Sequence, residues 1–122
     1  MTVLVTDDMY TSRIQIGIVL KSMGYTYDEA SNGEIAIEKL EKNHYDFILM
    51  DLEMPVKNGM DTTMHIRKKM QDPKKRNTPV IAITAHDPAD YAVNLDQYGF
   101  NALISKPVTP QKLQEALKSI EL

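Results

Sequence analysis

Four short segments hold residues that could do chemistry together: Asp7-Asp8, Asp51, Thr84 and Lys106-Pro107. Three carboxylates, a hydroxyl and an ammonium form a useful set if the fold brings them to one crevice. Carboxylates crowded together repel, and a hard divalent cation held by oxygen ligands relieves the repulsion. Magnesium suits such a set, because it takes one or two carboxylates, keeps several waters and shares itself with a phosphoryl oxygen. One carboxylate then stands as a nucleophile toward phosphorus, giving an aspartyl-phosphate. Lys106 and the Thr84 hydroxyl would contact the remaining phosphoryl oxygens and stabilise charge during transfer. Each residue alone has a plainer reading. Asp7 and Asp8 could cap a helix, Asp51 could end a strand for solubility, Thr84 is a β-favouring residue, and Lys106 could be solvated.

What would position these residues is read from the pattern around them. Strand and helix signals alternate from one end to the other. Val3-Leu4-Val5-Thr6 is a β-branched run ending at Asp7-Asp8, and Ile14, Ile18, Val19, Leu20 and Met23 follow at mostly helical spacing before Gly24. Thr26 to Ala30 reads as a more polar strand, suited to an edge. Ser31-Asn32-Gly33 can cap a helix with Ala36, Ile37 and Leu40 on one face. Phe47-Ile48-Leu49-Met50 and Val80-Ile81-Ala82-Ile83 are unbroken apolar runs, which predict central strands covered on both faces. Pro55 to Gly59 is a loop, Asn58 caps a helix reaching about Met70, and Gln71 to Thr78 is a polar, basic connection. Asp87-Pro88 starts a fourth helix that Gly99 ends, Ala102-Leu103-Ile104 is the last strand, and Thr109-Pro110 starts the last helix. Five strands and five helices in strict alternation predict a doubly wound α/β fold with a parallel sheet. Ligands in such folds bind beyond the carboxyl ends of the strands. Asp7-Asp8, Asp51, Thr84 and Lys106 all fall at those ends.

Composition narrows the field. The chain has 122 residues, with 17 acidic against 14 basic side chains and a net charge of −3. This balance argues against direct nucleic-acid or membrane-surface binding. Six of the 14 basic residues lie between Arg67 and Arg76, where they read as a solvated helix end complementing the helix dipole. Cysteine is absent, which excludes disulfides, thiol catalysis and Cys-ligated zinc, and fits a reducing, cytoplasmic setting. His44, His65 and His86 lack zinc spacing.

The ordered set resembles the response-regulator receiver domain of two-component and phosphorelay systems. The matching motifs are Asp7-Asp8, Met50-Asp51-Leu52-Glu53-Met54-Pro55 with Gly59, Thr84-Ala85 and Lys106-Pro107. The phrase Met-Asp-Leu-Glu-Met-Pro-Val, with Thr-Ala-His and Ser-Lys-Pro later, is most similar to receivers of hybrid histidine kinases. The resemblance implies a flavodoxin-like sheet of strand order 2-1-3-4-5, with residues 1–122 forming one receiver domain. It implies that Asp51 is the phosphoacceptor, taking a phosphoryl group from a histidine kinase or histidine phosphotransfer protein. Asp8, Asp51 and the Glu53 carbonyl would ligate Mg2+, and Asp7 would hold a metal-bound water. Thr84 would move toward the phosphoryl group, Lys106 would pair with it, and the Lys106-Pro107 bond would be cis. The domain would catalyse its own phosphorylation and dephosphorylation without being an enzyme proper. Its output would alter the face of the fourth helix, fifth strand and last helix, as a monomer or weak homodimer. Ending at Leu122, the chain has no effector domain, so output toward an unknown downstream protein is expected in trans, or the chain is cut from a longer protein.

Two positions depart from the usual pattern, Leu103 and Met9, the latter following the acidic pair where many relatives carry a polar residue. Leu103 stands where receivers usually carry an aromatic switch residue, and Tyr98 is nearby in sequence, at the expected end of the fourth helix. Glu53 and His86, two residues after Asp51 and Thr84, occupy positions that tune phosphoryl turnover in the family. Two other readings stay open: a degenerate receiver acting as a phosphorylation-independent interaction module, and a magnesium-dependent phosphohydrolase working through an aspartyl-phosphate.

Overall fold

Every residue of the strands Phe47–Asp51 and Val80–Thr84 is buried, as their apolar runs require. The computed structural model describes residues 1–54, 57–86 and 95–122. Within them the chain runs β1 (Thr2–Thr6), α1 (Tyr10–Ser22), β2 (Thr26–Ala30), α2 (Gly33–Lys42), β3 (Phe47–Asp51) and α3 (Gly59–Lys69). It continues through α4 (Pro73–Arg76), β4 (Val80–Thr84), α5 (Leu95–Tyr98), β5 (Ala102–Ser105) and α6 (Pro110–Ser119). The sheet is wholly parallel in the order β2-β1-β3-β4-β5. The expected fold and strand order are therefore found, with the polar β2 at one edge.

Alternation along the strands divides the interior in two. Leu4, Ile48, Met50, Val80 and Ala82 point to one face, under Ala36, Ile37, Leu40 and Ile66 of α2 and α3. Val3, Val5, Phe47, Leu49, Ile81 and Ile83 point to the other, under Ile16 and Leu20 of α1 and Leu113 and Leu117 of α6. With apolar layers on both sides, the only open ends of the central strands are their termini.

Side-chain caps set the helix starts where the sequence predicts them. Asn32 accepts from the Ile35 amide at 2.9 Å, Asn58 from the Asp61 amide at 2.8 Å, and Thr109 from the Lys112 amide at 3.2 Å. Six helices occur among the described residues, one more than predicted. The addition is α4, a single turn inside the expected polar connection. Asp72 caps it by accepting from the Lys74 amide at 2.9 Å, with Pro73 at the first helical position. The helix start expected at Asp87-Pro88 lies outside the described residues, as do Pro55 and Val56, and α5 ends just before Gly99, where the sequence predicts a helix to stop.

The basic stretch also needs correction. Arg67 is not a solvated cation. Its guanidinium donates to the carbonyls of Gly99, Arg76 and Thr78 at 3.1, 2.7 and 2.7 Å, and to Asn101 Oδ1 at 2.9 Å. It ties the end of α3 to the starts of β4 and β5, which the charge pattern gave no sign of.

Gly59 opens α3 directly behind the end of β3. A Cβ built there would stand 2.2 Å from the Asp51 carbonyl oxygen, an approach that only backbone movement could relieve. Gly59→Ala is expected to destabilise the fold by about 1–3 kcal/mol, the usual cost of overpacking, measured by urea denaturation against wild type.

Candidate functional site

The strand ends bring the acidic residues together because β1 and β3 are adjacent and in register, with Thr6 opposite Met50. Asp7 and Asp51 follow those positions on neighbouring strands. Asp7 is fully buried, Asp51 is 2% exposed, and Asp8 is exposed at the rim. One carboxylate oxygen from each of Asp7, Asp8 and Asp51 lies within 4.8 Å of the others. Three hard oxygen donors at that spacing fit a divalent cation with retained waters.

Lys106 enters from the end of β5. Its Nζ is 2.8 Å from Asp7 Oδ2 and 3.5 Å from Asp51 Oδ2. The Lys106-Pro107 peptide is cis, as the resemblance implied. Lys112 of α6 steadies this turn by donating to the Ser105 and Pro107 carbonyls at 3.0 and 3.2 Å.

The two buried carboxyls are held differently. Burial pushes Asp7 up, but the Lys106 ammonium, the Ser12 hydroxyl at 2.6 Å and the Met9 amide at 2.9 Å outweigh it and hold Asp7 below the usual carboxylate range. Asp51 is pushed up to about 7 by burial and by the Asp7 charge, against the opposing pull of Lys106. Burial pushes Lys106 down, yet hydrogen bonding to Asp7 and the two negative charges leave it above the usual lysine value. One ammonium thus serves two acids, and Asp7 takes the larger share.

Thr84 is fully buried at the end of β4, and its hydroxyl is turned to Glu53. Its hydroxyl donates to Glu53 Oε1 at 2.6 Å and accepts from the His86 amide at 3.1 Å. Glu53 also donates its own amide to Asp51 Oδ1 at 3.2 Å, and His86 Nε2 stands 3.6 Å from Glu53 Oε1. Leu103 and Tyr98 are partly buried, and each packs against the core cluster under α2 and α3. Sequence reasoning missed Ser12, Lys112 and the Glu53–Thr84 contact. Ser12 alone left a trace, as a hydroxyl in the first turn of a helix that follows a strand-end acid.

A family model described as the response regulator receiver domain matches residues 3–118. The chain belongs to this family. Among receivers, it is 32% identical over 121 residues to the chemotaxis protein CheY of Pseudomonas aeruginosa, covering 98% of this chain and 95% of that one. It is 33% identical over 117 residues to the signal transduction histidine-protein kinase BarA of Shigella flexneri, covering 96% of this chain and 12% of that protein. The receiver domain of sensor histidine kinase PA1611 from Pseudomonas aeruginosa superimposes with a TM-score of 0.84 at 30% identity, over 99% of this chain and 98% of that one. That structure has a magnesium ion coordinated in its active site cleft.

The raised Asp51 has a thermodynamic consequence. An unfolded aspartate ionises near about 3.9, whereas Asp51 in the folded chain does so at about 7. Its contribution is complete below the unfolded value and is lost as pH rises toward 7. In metal-free buffer, Asp51→Asn should therefore gain stability over wild type by about 1–3 kcal/mol between pH 4 and pH 8, read as a widening difference in denaturation midpoint.

Proposed function

We propose that this receiver is a phosphoacceptor switch in which Asp51 takes a phosphoryl group from a phosphohistidine partner. The observation that carries the reading is the Asp7, Asp8, Asp51 and Lys106 cluster, with three acids within 4.8 Å and one ammonium bridging the two buried ones. An Asp51 oxygen forms a bond to phosphorus as the phosphorus–nitrogen bond of the donor breaks. Lys106 is placed to stabilise the charge that gathers on the phosphoryl oxygens. Asp8, Asp51 and the Glu53 carbonyl would hold Mg2+, and Asp7, with both oxygens already engaged, would hold a metal-bound water. When bound, magnesium supplies positive charge that keeps Asp51 ionised and offsets charge on the incoming group. The bond to Asp51 is later hydrolysed at the same site, so the chain acts on itself and turns over no outside substrate. The output surface is the α5–β5–α6 face, through which a downstream protein senses the change as a shift in population.

The donor is a protein that offers an apolar helical face. Met9, Tyr10, Ile14 and Ile18 are 56%, 65%, 43% and 65% exposed. Tyr10, Ile14 and Ile18 are spaced by four along α1, which makes one solvent-exposed apolar edge. The edge runs into the site, because Met9, Ser12 and Gln15 share a cleft with Ala85, Lys106 and Pro107.

Incubation with magnesium and acetyl phosphate should add one phosphoryl group, read by intact mass, and Asp51→Asn should add none. Asp8→Asn should slow the addition by an order of magnitude or more at fixed magnesium. An equal adduct on Asp51→Asn would sink the reading, and rapid turnover of phosphate monoesters would favour a phosphohydrolase. Ile18→Glu should leave the acetyl phosphate rate unchanged but cut transfer from a phosphorylated histidine phosphotransfer protein that serves the wild type. Equal loss with both donors would remove the docking role of α1.

A further inference from the structure

We propose that Glu53 is a latch on Thr84: its carboxylate holds the Thr84 hydroxyl at rest, and a group on Asp51 reaches that hydroxyl only by displacing Glu53. This rests on the reading that Asp51 takes the phosphoryl group.

The Thr84 side chain is fully buried, so its hydroxyl cannot turn to water. Its oxygen already accepts from the His86 amide at 3.1 Å, and its one proton goes to Glu53 Oε1 at 2.6 Å. A short hydrogen bond from a hydroxyl to a carboxylate is among the strong kind. Glu53 is anchored over the acceptor acid itself, since its amide donates to Asp51 Oδ1 at 3.2 Å. A phosphoryl oxygen on Asp51 and the Glu53 carboxylate are therefore two anions competing for a single proton donor. The two sides of the contact differ in what they can do when it breaks. The Glu53 side chain is 34% exposed, so its carboxylate can pass into water. Buried Thr84 has no such exit, and an unmatched buried hydroxyl is costly. His86 Nε2 stands 3.6 Å from the same Oε1. The exchange breaks no covalent bond. The proton stays on Thr84, and its acceptor changes from Oε1 to a phosphoryl oxygen.

The latch sets how readily the receiver passes into its switched state, and it does so through Thr84. That separates it from simple repulsion between Glu53 and an incoming anion. Glu53→Asp keeps the charge but is one methylene too short to hold the hydroxyl. Titration with beryllium fluoride in the presence of magnesium, followed by the amide resonances of Ala85 and His86, reads the apparent affinity for a phosphoryl mimic. Glu53→Asp should bind about tenfold more tightly than wild type, the size of one charge-assisted hydrogen bond. In a Thr84→Val background the same substitution should have no effect. Glu53→Ala should also gain, and more with Thr84 present than with Val at that position. Unchanged affinity in Glu53→Asp, or an equal gain in both backgrounds, would overturn the latch while leaving the phosphoacceptor reading intact. A wild-type protein that does not respond to beryllium fluoride would overturn the phosphoacceptor reading itself.

Discussion

A single ammonium group shared between two buried acids is the constraint around which this molecule is arranged. Lys106 stands 2.8 Å from Asp7 and 3.5 Å from Asp51, and the three residues come from the ends of β1, β3 and β5. Two carboxylates in such a place would not both stay ionised without compensation. The sheet supplies it by running parallel, so that every strand delivers its carboxyl end to the same side. The order β2-β1-β3-β4-β5 sets the acids on adjacent strands and brings the lysine in from the far edge. The compensation is incomplete, because Asp51 remains pushed up to about 7 by burial and by its neighbour. The fold thus carries an unfavourable electrostatic arrangement of the kind that a divalent cation relieves. Sites of function commonly give up stability in this way.

The strand ends could be read from the sequence because the interior is so apolar. Two runs of four apolar residues, each stopped by a polar one, mark where β3 and β4 leave the core. Asp51 and Thr84 therefore had to lie at an edge of the sheet. Capping side chains gave the starts of α2, α3 and α6 for an equally local reason, since each is satisfied within a few residues. What could not be read is the choice a long side chain makes between water and a distant partner. Arg67 sits in a run of cations and looks like its neighbours, yet four acceptors from residues 76 to 101 take it out of solvent. Glu53 and Thr84 are 31 residues apart, and nothing in their local patterns pairs them. The turn of α4 was missed because a four-residue helix leaves no periodicity, although Asp72-Pro73 is a proper start signal.

Leu103 illustrates how a departure from a family pattern is absorbed. The side chain packs inward, as Tyr98 does, on the face covered by α2 and α3, so the position is filled by apolar contact and needs no ring. On the neighbouring strand, the Thr84 hydroxyl is tied to the backbone that follows β4, since it accepts from the His86 amide at 3.1 Å.

The Arg67 tether pins the start of β5. One guanidinium grips the Gly99 carbonyl and the Asn101 side chain, and Asn101 Oδ1 also accepts from the Val80 amide at 2.9 Å. Gly99 has a φ of +92° and no room for a Cβ beside the Arg67 chain. The strand therefore cannot slide along its own axis as a rigid rod. The start of β5 is thus held by side-chain bonds as well as by its ladder to β4, and those side-chain bonds centre on a guanidinium far from the chemistry.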